Sequence, residues 1–478
     1  MKRFHLSVPI LMLAALLLLS GCQSYPAPAA PESIVTSPPP KVPAPDTALA
    51  PGVTVRPEID YDALAAERVA ALPQKNMQQA VFLIATTKAA MLRPELKSEE
   101  EGGRTIDLAV RKRNQLIEKT YNIQLLTVEY STEGLVEQVR GAVHAGIYLA
   151  DLIELPHHRV GALADTTLPV NMNALPFTDY TAEYFDGDAI DQCSAGYYTY
   201  AVAGNANRYE EKALCLFFNA DLLSAKAEEL YGMVYDGTLT WDAVFPYLEN
   251  TEGDAIALPE GTDAAQLVLA AGRLNLLRTA YGVLPEAEED KSAIEAAVSI
   301  TARLLPLIGE ERGTEGFLAG EIPFCVAEAE TVRRLGTASF SWGVLPLPKH
   351  NAEQQEYGTL GSYQTVFTAI STVTALDRTG MILQALNAAS VGQNADALAR
   401  EALAEYLQSV DGARMLQIAT EHRHYDLGYM LKQEFGSIRN ASVQAFADAV
   451  AGLGSFAERY ALSEGELLRL NEKNFVWD

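Results

Sequence analysis

The fold is decided by a stretch in which short apolar runs alternate with helical patterns. It opens with AVFLIA at residues 80–85 and closes with ADLIEL at residues 150–155. The continuous apolar run at 80–85 is typical of a strand buried on both faces, and residues 150–155 are predicted to form another strand. Between them, apolar residues at helical spacing predict helices at 105–121 and 134–144, with a strand at 123–128. The order β-α-β-α-β predicts a parallel sheet covered by helices on both faces.

The ends of these strands mark a potential binding site. Ligands of open parallel sheets bind just beyond the carboxyl ends of the strands. Thr86 and Thr87 follow the first strand, and Pro156 and His157 follow the third. We therefore predict that Thr86 and Thr87 contact a ligand. The pair His157 and His158 could suggest a metal, but no third histidine or cysteine cluster stands at ligand spacing, so no metal site is predicted.

A second set of strand patterns begins after about residue 205, at 213–219, 324–327 and 342–347, and a further strand is predicted at 365–370. Helical patterns separate them, and the chain is predicted to be mostly helical beyond residue 396. This long pattern, in which the chain leaves one α/β unit for another and later returns, predicts a second α/β unit inserted into the first. The predicted parts are a signal peptide at 1–21, a linker at 22–75, a first lobe at 76–205 plus 345–395, and a second lobe at 206–344 plus 396–478.

The N-terminus has the order of a secretory signal. Lys2 and Arg3 precede an apolar run at residues 8–19, which is too short to span a bilayer comfortably. Cys22 follows Ser20 and Gly21, an arrangement that resembles the bacterial lipobox, so Cys22 is the predicted lipidation site and would carry acyl chains such as palmitate. The alternative is an ordinary secretory signal with a chance cysteine. The Pro- and Ala-rich residues that follow predict an extended spacer.

Composition and cysteine content limit the partners. The chain has 62 acidic and 36 basic residues, and this negative surface repels phosphate backbones, so no nucleic acid partner is predicted. Besides Cys22 there are three cysteines and no CxxC pair, which argues against a zinc site or a disulfide scaffold. A bridge between Cys193 and Cys215 stays possible, whereas Cys325 is predicted to be a core residue. No cofactor is predicted.

Several segments together resemble one protein family. They are LPFTD at 175–179, LFFNADL at 216–222, LTWD at 239–242, GVLPLP at 343–348 and HYDLG at 424–428. In order and spacing they resemble the extracellular solute-binding proteins of family 1, the maltose-binding type, in the variety common in clostridia. Trp241, which follows a predicted helix N-cap at Thr240, is interpreted as a packing residue.

The resemblance implies a two-lobed periplasmic-binding-protein fold of type II, an α/β "Venus flytrap" with a helical C-terminal region. It implies hinge crossings near residues 200–215, near 347–348 and after about 390, with the ligand held in the cleft between the lobes. It also implies a monomer that passes a small-molecule solute to the permease subunits of an ABC importer and is anchored to the membrane by its N-terminal lipid, facing the extracellular or periplasmic side.

Sugars are bound by aromatic faces and by polar groups that take pairs of hydroxyls. The aromatic-rich stretch 177–200 offers both kinds of group, but its tyrosines could equally pack between the lobes. Trp342 could be a stacking platform or a core residue, and the loop before the strand at 365 often faces the cleft in the family. Beyond the two threonines, the candidate ligand-binding residues are therefore Asp179, Tyr180, Tyr184, Tyr197, Tyr198, Trp342, Ser362 and Tyr363.

The predicted function is capture of a solute, with a sugar or oligosaccharide as the first expectation, and delivery to an ABC importer. No G-x-S-x-G, H-E-x-x-H or G-x-x-x-x-G-K-[ST] motif occurs, so no catalytic residue and no enzymatic activity are predicted. Two alternatives stay open. One is a surface lipoprotein that acts in interaction or sensing, and the other is a secreted hydrolase.

Overall fold

The structure is a computed structural model, and it describes residues 60–87, 96, 105–163, 168–195, 198–208, 210–223, 227–251, 253–276, 288–309, 313–360, 365–390, 398–399, 401–402, 405–407, 409–426 and 440–462. All of these belong to one unit, Lys41–Asp478. The strands are β1 (Ala80–Thr87), β2 (Ile123–Tyr130), β3 (Leu152–Pro156), β4 (Ser194–Ala195), β5 (Tyr198–Thr199), β6 (Leu214–Asn219), β7 (Ile256–Ala257), β8 (Phe324–Glu328), β9 (Trp342–Leu345) and β10 (Thr365–Thr368).

The α-helices are α1 (Tyr61–Ala71), α2 (Thr105–Tyr121), α3 (Thr132–Ala145), α4 (Gly187–Gln192), α5 (Ala227–Tyr235), α6 (Trp241–Glu249), α7 (Ala264–Gly272), α8 (Glu288–Leu304), α9 (Gly313–Leu318), α10 (Val332–Leu335), α11 (Leu376–Ala389), α12 (Val410–Glu421) and α13 (Ala445–Val450). In the part of the chain that the structure describes, no helix has the length and apolar character needed to cross a membrane.

The first sheet has the strand order β10-β3-β1-β2. As predicted, β1 pairs in parallel with β2 and β3, whereas β10 runs antiparallel to β3. One face of the sheet packs under α1, α2 and α11 around Phe82 and Ile84, and the other packs under α3 around Ala85 and Ile153. The prediction that β1 is buried on both faces is wrong for its first half, because Val81 is 44% exposed.

Helix α3 shows how the local sequence sets the limits of an element. The hydroxyl of Ser131 caps its start and accepts a hydrogen bond from the backbone N–H of Gly134 at 3.1 Å. Its end is at Gly146, whose φ of 66° lies in the left-handed region that glycine adopts without a side-chain clash. The predicted stop at Gly146 is confirmed. The helix crosses the sheet with Leu135 and Val139 buried against it.

Helix α1 lies inside the range that the sequence assigned to the linker. Its residues Ala65 and Val69 are buried in the core of the first sheet, against α11 and α2. Asp60 caps the helix by accepting a hydrogen bond from the N–H of Ala63 at 3.0 Å. The folded part of the chain therefore begins by residue 60, and the linker boundary at residue 75 is corrected.

The second sheet has the strand order β7-β8-β6-β9. Its central strand β6 is antiparallel to β8 and β9 and is buried along its whole length. Two sequence predictions are confirmed in this lobe. Trp241 is fully buried at the start of α6, behind the N-cap Thr240, and Cys325 is fully buried in β8.

The chain changes lobe where its hydrogen bonds change partner. Asn207 still donates its side-chain N–H to the backbone oxygen of Thr365 in β10 at 2.8 Å, whereas β6, which starts at Leu214, belongs to the second sheet. On the return path, the hydroxyl of Thr359 donates to the backbone oxygen of Leu214 at 2.6 Å. The segment 346–360 therefore packs on the second sheet. Since β10, which starts at Thr365, belongs to the first sheet, the expected crossing near 347–348 is wrong.

The cysteines do not form the bridge that the sequence left possible. Cys193, Cys215 and Cys325 are free thiols, and all three are buried. Burial raises the pKa of Cys193 to about 12, so this thiol stays protonated at neutral pH.

Candidate ligand-binding site

A buried carboxylate joins the ends of three strands in the first lobe. Thr86, near the end of β1, donates its hydroxyl to Glu154 Oε2 at 2.5 Å, and Thr365, at the start of β10, donates to Glu154 Oε1 at 2.8 Å. Glu154, in β3, is fully buried, and Thr86 and Thr87 are almost fully buried beside it. The two hydroxyls compensate for burial of the carboxylate, as a buried charge requires. This sheet edge is the one from which the crossing at Asn207 leaves.

The turn that follows β3 reaches the second lobe. A 3₁₀ segment, His157–Leu163, begins directly after Pro156. The ring of His157 lies 5.6 Å from the ring of Tyr425, edge to face. Tyr425 follows a stretch that is bound to the second lobe, because the N–H of His424 donates to the backbone oxygen of Thr359 at 2.8 Å. The two rings thus connect the lobes.

Helix α4 makes two further contacts with the second lobe. The carboxylate of Asp188 forms an ion pair with Arg273, and Gln192 donates its side-chain N–H to Asn275 Oδ1 at 2.8 Å. Arg273 ends α7 with a φ of 53°, a left-handed conformation that is uncommon for any residue with a side chain. We call the following residues, which make these contacts, the interlobe seam: His157, Asp188, Gln192, Arg273, Asn275 and Tyr425.

One atom of the interlobe seam has an unmet hydrogen-bonding requirement. Among the described residues nothing donates a hydrogen bond to Gln192 Oε1, although this oxygen is buried. Gln192 as a whole is 7% exposed. A buried polar atom without a partner costs about 1–3 kcal/mol, and a hydroxyl group of a bound molecule would remove that cost.

Beside the seam lies a cluster of buried charges at the first crossing. Glu210 pairs with Arg208 at 3.0 Å and with Arg423 at 3.6 Å. Burial raises the pKa of Asp186, and the neighbouring Arg208 guanidinium only partly offsets this effect. The cluster connects residues that follow α12 to the crossing segment. It therefore holds these two segments together next to the interlobe seam. Breaking one such buried pair typically costs more than the pair contributes.

Acid should weaken the protein through His424. Burial lowers its pKa to about 4, the carboxylate of Asp188 opposes this shift and the guanidinium of Arg273 supports it. An unfolded histidine has a pKa of about 6.5, so between these values the unfolded chain binds a proton that the folded chain does not. The free energy of unfolding therefore falls as the pH drops below about 6.5. We expect this residue to remove about 2 kcal/mol between pH 7 and pH 5.

Denaturant unfolding at the two pH values measures this effect. His424→Gln should lose less stability than the wild type on acidification, whereas His144→Gln, at an exposed position, should behave like the wild type. Equal losses in the wild type and His424→Gln would contradict the assignment.

The seam brings together hydroxyl, carboxylate, amide, imidazole and guanidinium groups, which suits recognition of a solute with many hydrogen-bonding groups.

In the ranges that the structure describes, no group of three or more His, Cys, Asp or Glu is arranged to hold a metal ion.

Three predicted ligand residues lie away from the interlobe seam. Asp179 and Tyr184 are both bonded to Gln384 of α11, which accepts from the N–H of Asp179 at 2.9 Å and donates to Tyr184 Oη at 2.7 Å. Tyr180 donates its hydroxyl to the backbone oxygen of Met172 at 3.0 Å and stacks edge-on against Phe185. They lie on the side of the first sheet that α11 covers, where the packing interpretation of the tyrosines fits.

The other described candidates also lie elsewhere. Tyr198 donates its hydroxyl to the backbone oxygen of Pro169 at 2.8 Å, and its ring lies 4.8 Å from that of Tyr200. Trp342 starts β9 opposite Asn219, at the end of β6 that is remote from the crossing, so it is not at the seam. The remaining candidates lie outside the described residues, and they are Cys22, Tyr197, Ser362 and Tyr363.

The residue near the seam that the sequence could have revealed is Glu154, three positions before His157. It is a charged residue inside a strand predicted to be buried on both faces, and such charges are buried only with partners. Gln192, Arg273 and Asn275 carry no comparable signal, because each is a single residue on a short segment. Tyr425 lies in the HYDLG segment at 424–428, which carried part of the family resemblance but did not point to a site.

Comparisons with known proteins agree with the fold. No protein-family model matches the sequence. No curated protein matches it. Solved structures do match it, among them three with a probability of 1.00. The cyclic α-maltosyl-1,6-maltose binding protein from Arthrobacter globiformis has a TM-score of 0.52 and 12% identity, and the match covers 82% of this chain and 99% of that one.

The other two come from Bifidobacterium longum. The galacto-N-biose-/lacto-N-biose I-binding protein of an ABC transporter, in complex with lacto-N-biose, has a TM-score of 0.50 and 12% identity, with 83% of this chain and 99% of that one covered. A family 1 extracellular solute-binding protein of the subspecies infantis has a TM-score of 0.50 and 11% identity, with 82% and 100% covered. The chain thus has the two-lobed α/β fold of extracellular solute-binding proteins.

Proposed function

We propose that the protein captures a sugar or oligosaccharide between its two lobes and delivers it to the permease subunits of an ABC importer. The observation that carries this proposal is the interlobe seam, where polar groups of both lobes meet and Gln192 Oε1 is buried without a donor. A solute in this position contacts both lobes only when they are closed. Binding would therefore shift the protein toward the closed form, which the permease can distinguish from the open one.

The choice of a sugar rests on the chemistry of the seam. Sugar hydroxyls donate and accept hydrogen bonds, and the amides of Gln192 and Asn275 can take both roles. The neighbouring structures include proteins named for an oligosaccharide of maltose units and for lacto-N-biose. These names support a sugar as the first class of solute to test.

We also propose that the chain is a monomer held at the outer face of the membrane by lipid on Cys22. The sequence motif before Cys22 supports cleavage behind Gly21, and several acyl chains on one residue give lasting attachment. The Pro- and Ala-rich residues between Cys22 and α1 would hold the lobes away from the bilayer.

A thermal-shift screen of the full chain tests sugar capture. We expect one class from a panel of neutral sugars, acidic sugars, polyols and amino acids to raise the melting temperature, because a ligand at a hundredfold excess over its dissociation constant adds about 2.7 kcal/mol. Gln192→Ala should lose most of this shift, whereas Gln355→Ala, on the exposed surface, should keep it. No shift with any sugar, or release of hydrolysis products, would contradict the proposal.

A second candidate is a surface lipoprotein that acts in interaction or sensing. The observation that favours it is the direct contact of the lobes through Asp188–Arg273, Gln192–Asn275 and His157–Tyr425. If these contacts keep the lobes shut, no solute will bind. The wild-type protein should then bind none of the sugars on the panel, whereas a capture protein binds one of them without any substitution.

A further inference from the structure

Arg159 is a cation with no partner among the described residues, and it lies in the turn that follows β3 in the first lobe. It lies in the turn His157–Leu163, two residues after His157 of the interlobe seam. Its Nε atom is buried and takes part in no hydrogen bond, and among the described residues no carboxylate pairs with its guanidinium. The side chain as a whole is half-buried, so part of the guanidinium is accessible.

The arginine of the interlobe seam and the two arginines of the neighbouring buried charge cluster are all paired with carboxylates. Arg273 pairs with Asp188, and Arg208 and Arg423 both pair with Glu210. The chain has 62 acidic residues to 36 basic ones, so carboxylates are plentiful. An arginine that is partly desolvated without one loses hydration and gains no compensating charge. Since no carboxylate of the described residues supplies this charge, an anionic group of a bound solute could supply it.

The turn that carries Arg159 is fixed at both ends. Arg140 of α3 donates a side-chain N–H to the backbone oxygen of Ala162 at 2.7 Å, and His157 packs against Tyr425 of the second lobe. Val160, next to Arg159, is buried in the core. The backbone of Arg159 is thus held in place beside the seam. A preorganised guanidinium costs less conformational entropy when it binds a ligand.

We propose that Arg159 receives a carboxylate of the solute, so that the solute is an acidic sugar, a uronic acid or an oligosaccharide that contains one. This proposal rests on the proposed function and narrows it. A guanidinium and a carboxylate form two parallel hydrogen bonds, which fix the orientation of the sugar. The seam then takes the hydroxyls, with Gln192 Oε1 as one acceptor.

Calorimetric titration of the full chain tests this with matched pairs: glucuronate against glucose, galacturonate against galactose, and digalacturonate against galactobiose. We expect the acidic member of a pair to bind and the neutral member to bind at least tenfold more weakly. Arg159→Gln should weaken acidic binding about 10- to 100-fold, the factor expected for one charge-assisted contact. Arg159→Lys should restore part of it, because lysine keeps the charge and loses the planar fork.

Two controls separate recognition from damage. Arg334→Gln removes an exposed arginine that pairs with Glu315, and it should leave binding unchanged. Without ligand, Arg159→Gln should melt at or above the wild-type temperature, because it removes an unpaired charge. Higher ionic strength should weaken binding of the acidic sugars and spare that of the neutral ones.

Each other outcome overturns the proposal in a distinct way. If neutral sugars bind as tightly as acidic ones, or Arg159→Gln binds uronates like the wild type, the role of Arg159 is wrong and sugar capture stands. If acetate or succinate competes as well as a uronate, the ligand is an organic acid and not a sugar. If no sugar of either kind binds, the proposed function fails together with this inference.

Discussion

Replacing Asp151 by alanine is expected to lower the free energy of unfolding by about 3–5 kcal/mol, the loss typical when one partner of a buried ion pair is removed. Asp151 is fully buried at the start of β3. Its Oδ2 accepts hydrogen bonds from the N–H of Leu83 at 2.9 Å and from the hydroxyl of Tyr148 at 2.8 Å, and its Oδ1 pairs with Arg378 of α11. One carboxylate thus joins β1, β3 and α11, the helix that follows β10 in the first lobe.

Denaturant unfolding measures this loss. Asp377→Ala is a matched control, because Asp377 lies next to Arg378 on α11. Asp377 pairs with Lys75, but both side chains are about half exposed, so this pair should contribute less than about 1 kcal/mol. A loss below about 1 kcal/mol for Asp151→Ala, similar to that of the control, would show that Asp151 does not hold the first lobe together.

The second large effect is expected in the other lobe. Trp241→Ala should lower the free energy of unfolding by about 3–5 kcal/mol, because it opens a cavity in a closely packed core. The side chain is fully buried, and its ring lies 6.2 Å from that of Phe245. Its Nε1 atom is buried and donates to no acceptor among the described residues.

That unpaired atom gives the control for Trp241. Trp241→Phe keeps most of the apolar contact and removes the unsatisfied N–H, so it should cost less than half as much as Trp241→Ala. Both variants are compared by denaturant unfolding. Equal losses for the two would mean that the indole N–H has an acceptor and that the cavity is not the main cost.

The first sheet was predictable because its determinants are local. The apolar runs of β1 and β3 and the stop of α3 at Gly146 follow from neighbouring residues alone. The return crossing was not predictable in this way. Pro346 and Pro348 suggest the end of a strand, but lobe membership depends on the bond between Thr359 and Leu214, which are far apart in sequence.

The candidate site was harder to predict than the fold. A dense group of tyrosines does not reveal which face of a sheet it covers. Tyr184 lies on the face that α11 covers, where Gln384, 200 positions later in the chain, donates a hydrogen bond to its hydroxyl. Helix α1 was missed because the Pro- and Ala-rich stretch before it conceals a short amphipathic pattern in which only Ala65 and Val69 are buried.

The contacts across the seam are compatible with opening. The side chains of Asp188 and Arg273 are 45% and 27% exposed, and exposed pairs contribute about 0–1 kcal/mol. The bond between Gln192 and Asn275 adds about 1 kcal/mol. Such small terms allow the lobes to open without a solute, and a solute that satisfies Gln192 Oε1 would then favour the closed form. The buried charges around Glu210 would stay in place during opening, because breaking them costs more.

The central claim, that the two lobes close around a sugar, is tested most directly by small-angle X-ray scattering of the full chain without and with a saturating sugar. The sugar is the one from the thermal-shift panel with the largest effect. The account predicts that the radius of gyration falls on saturation and that Gln192→Ala shows a smaller change at the same sugar concentration. Scattering curves that stay the same for every sugar on the panel would contradict capture between the lobes.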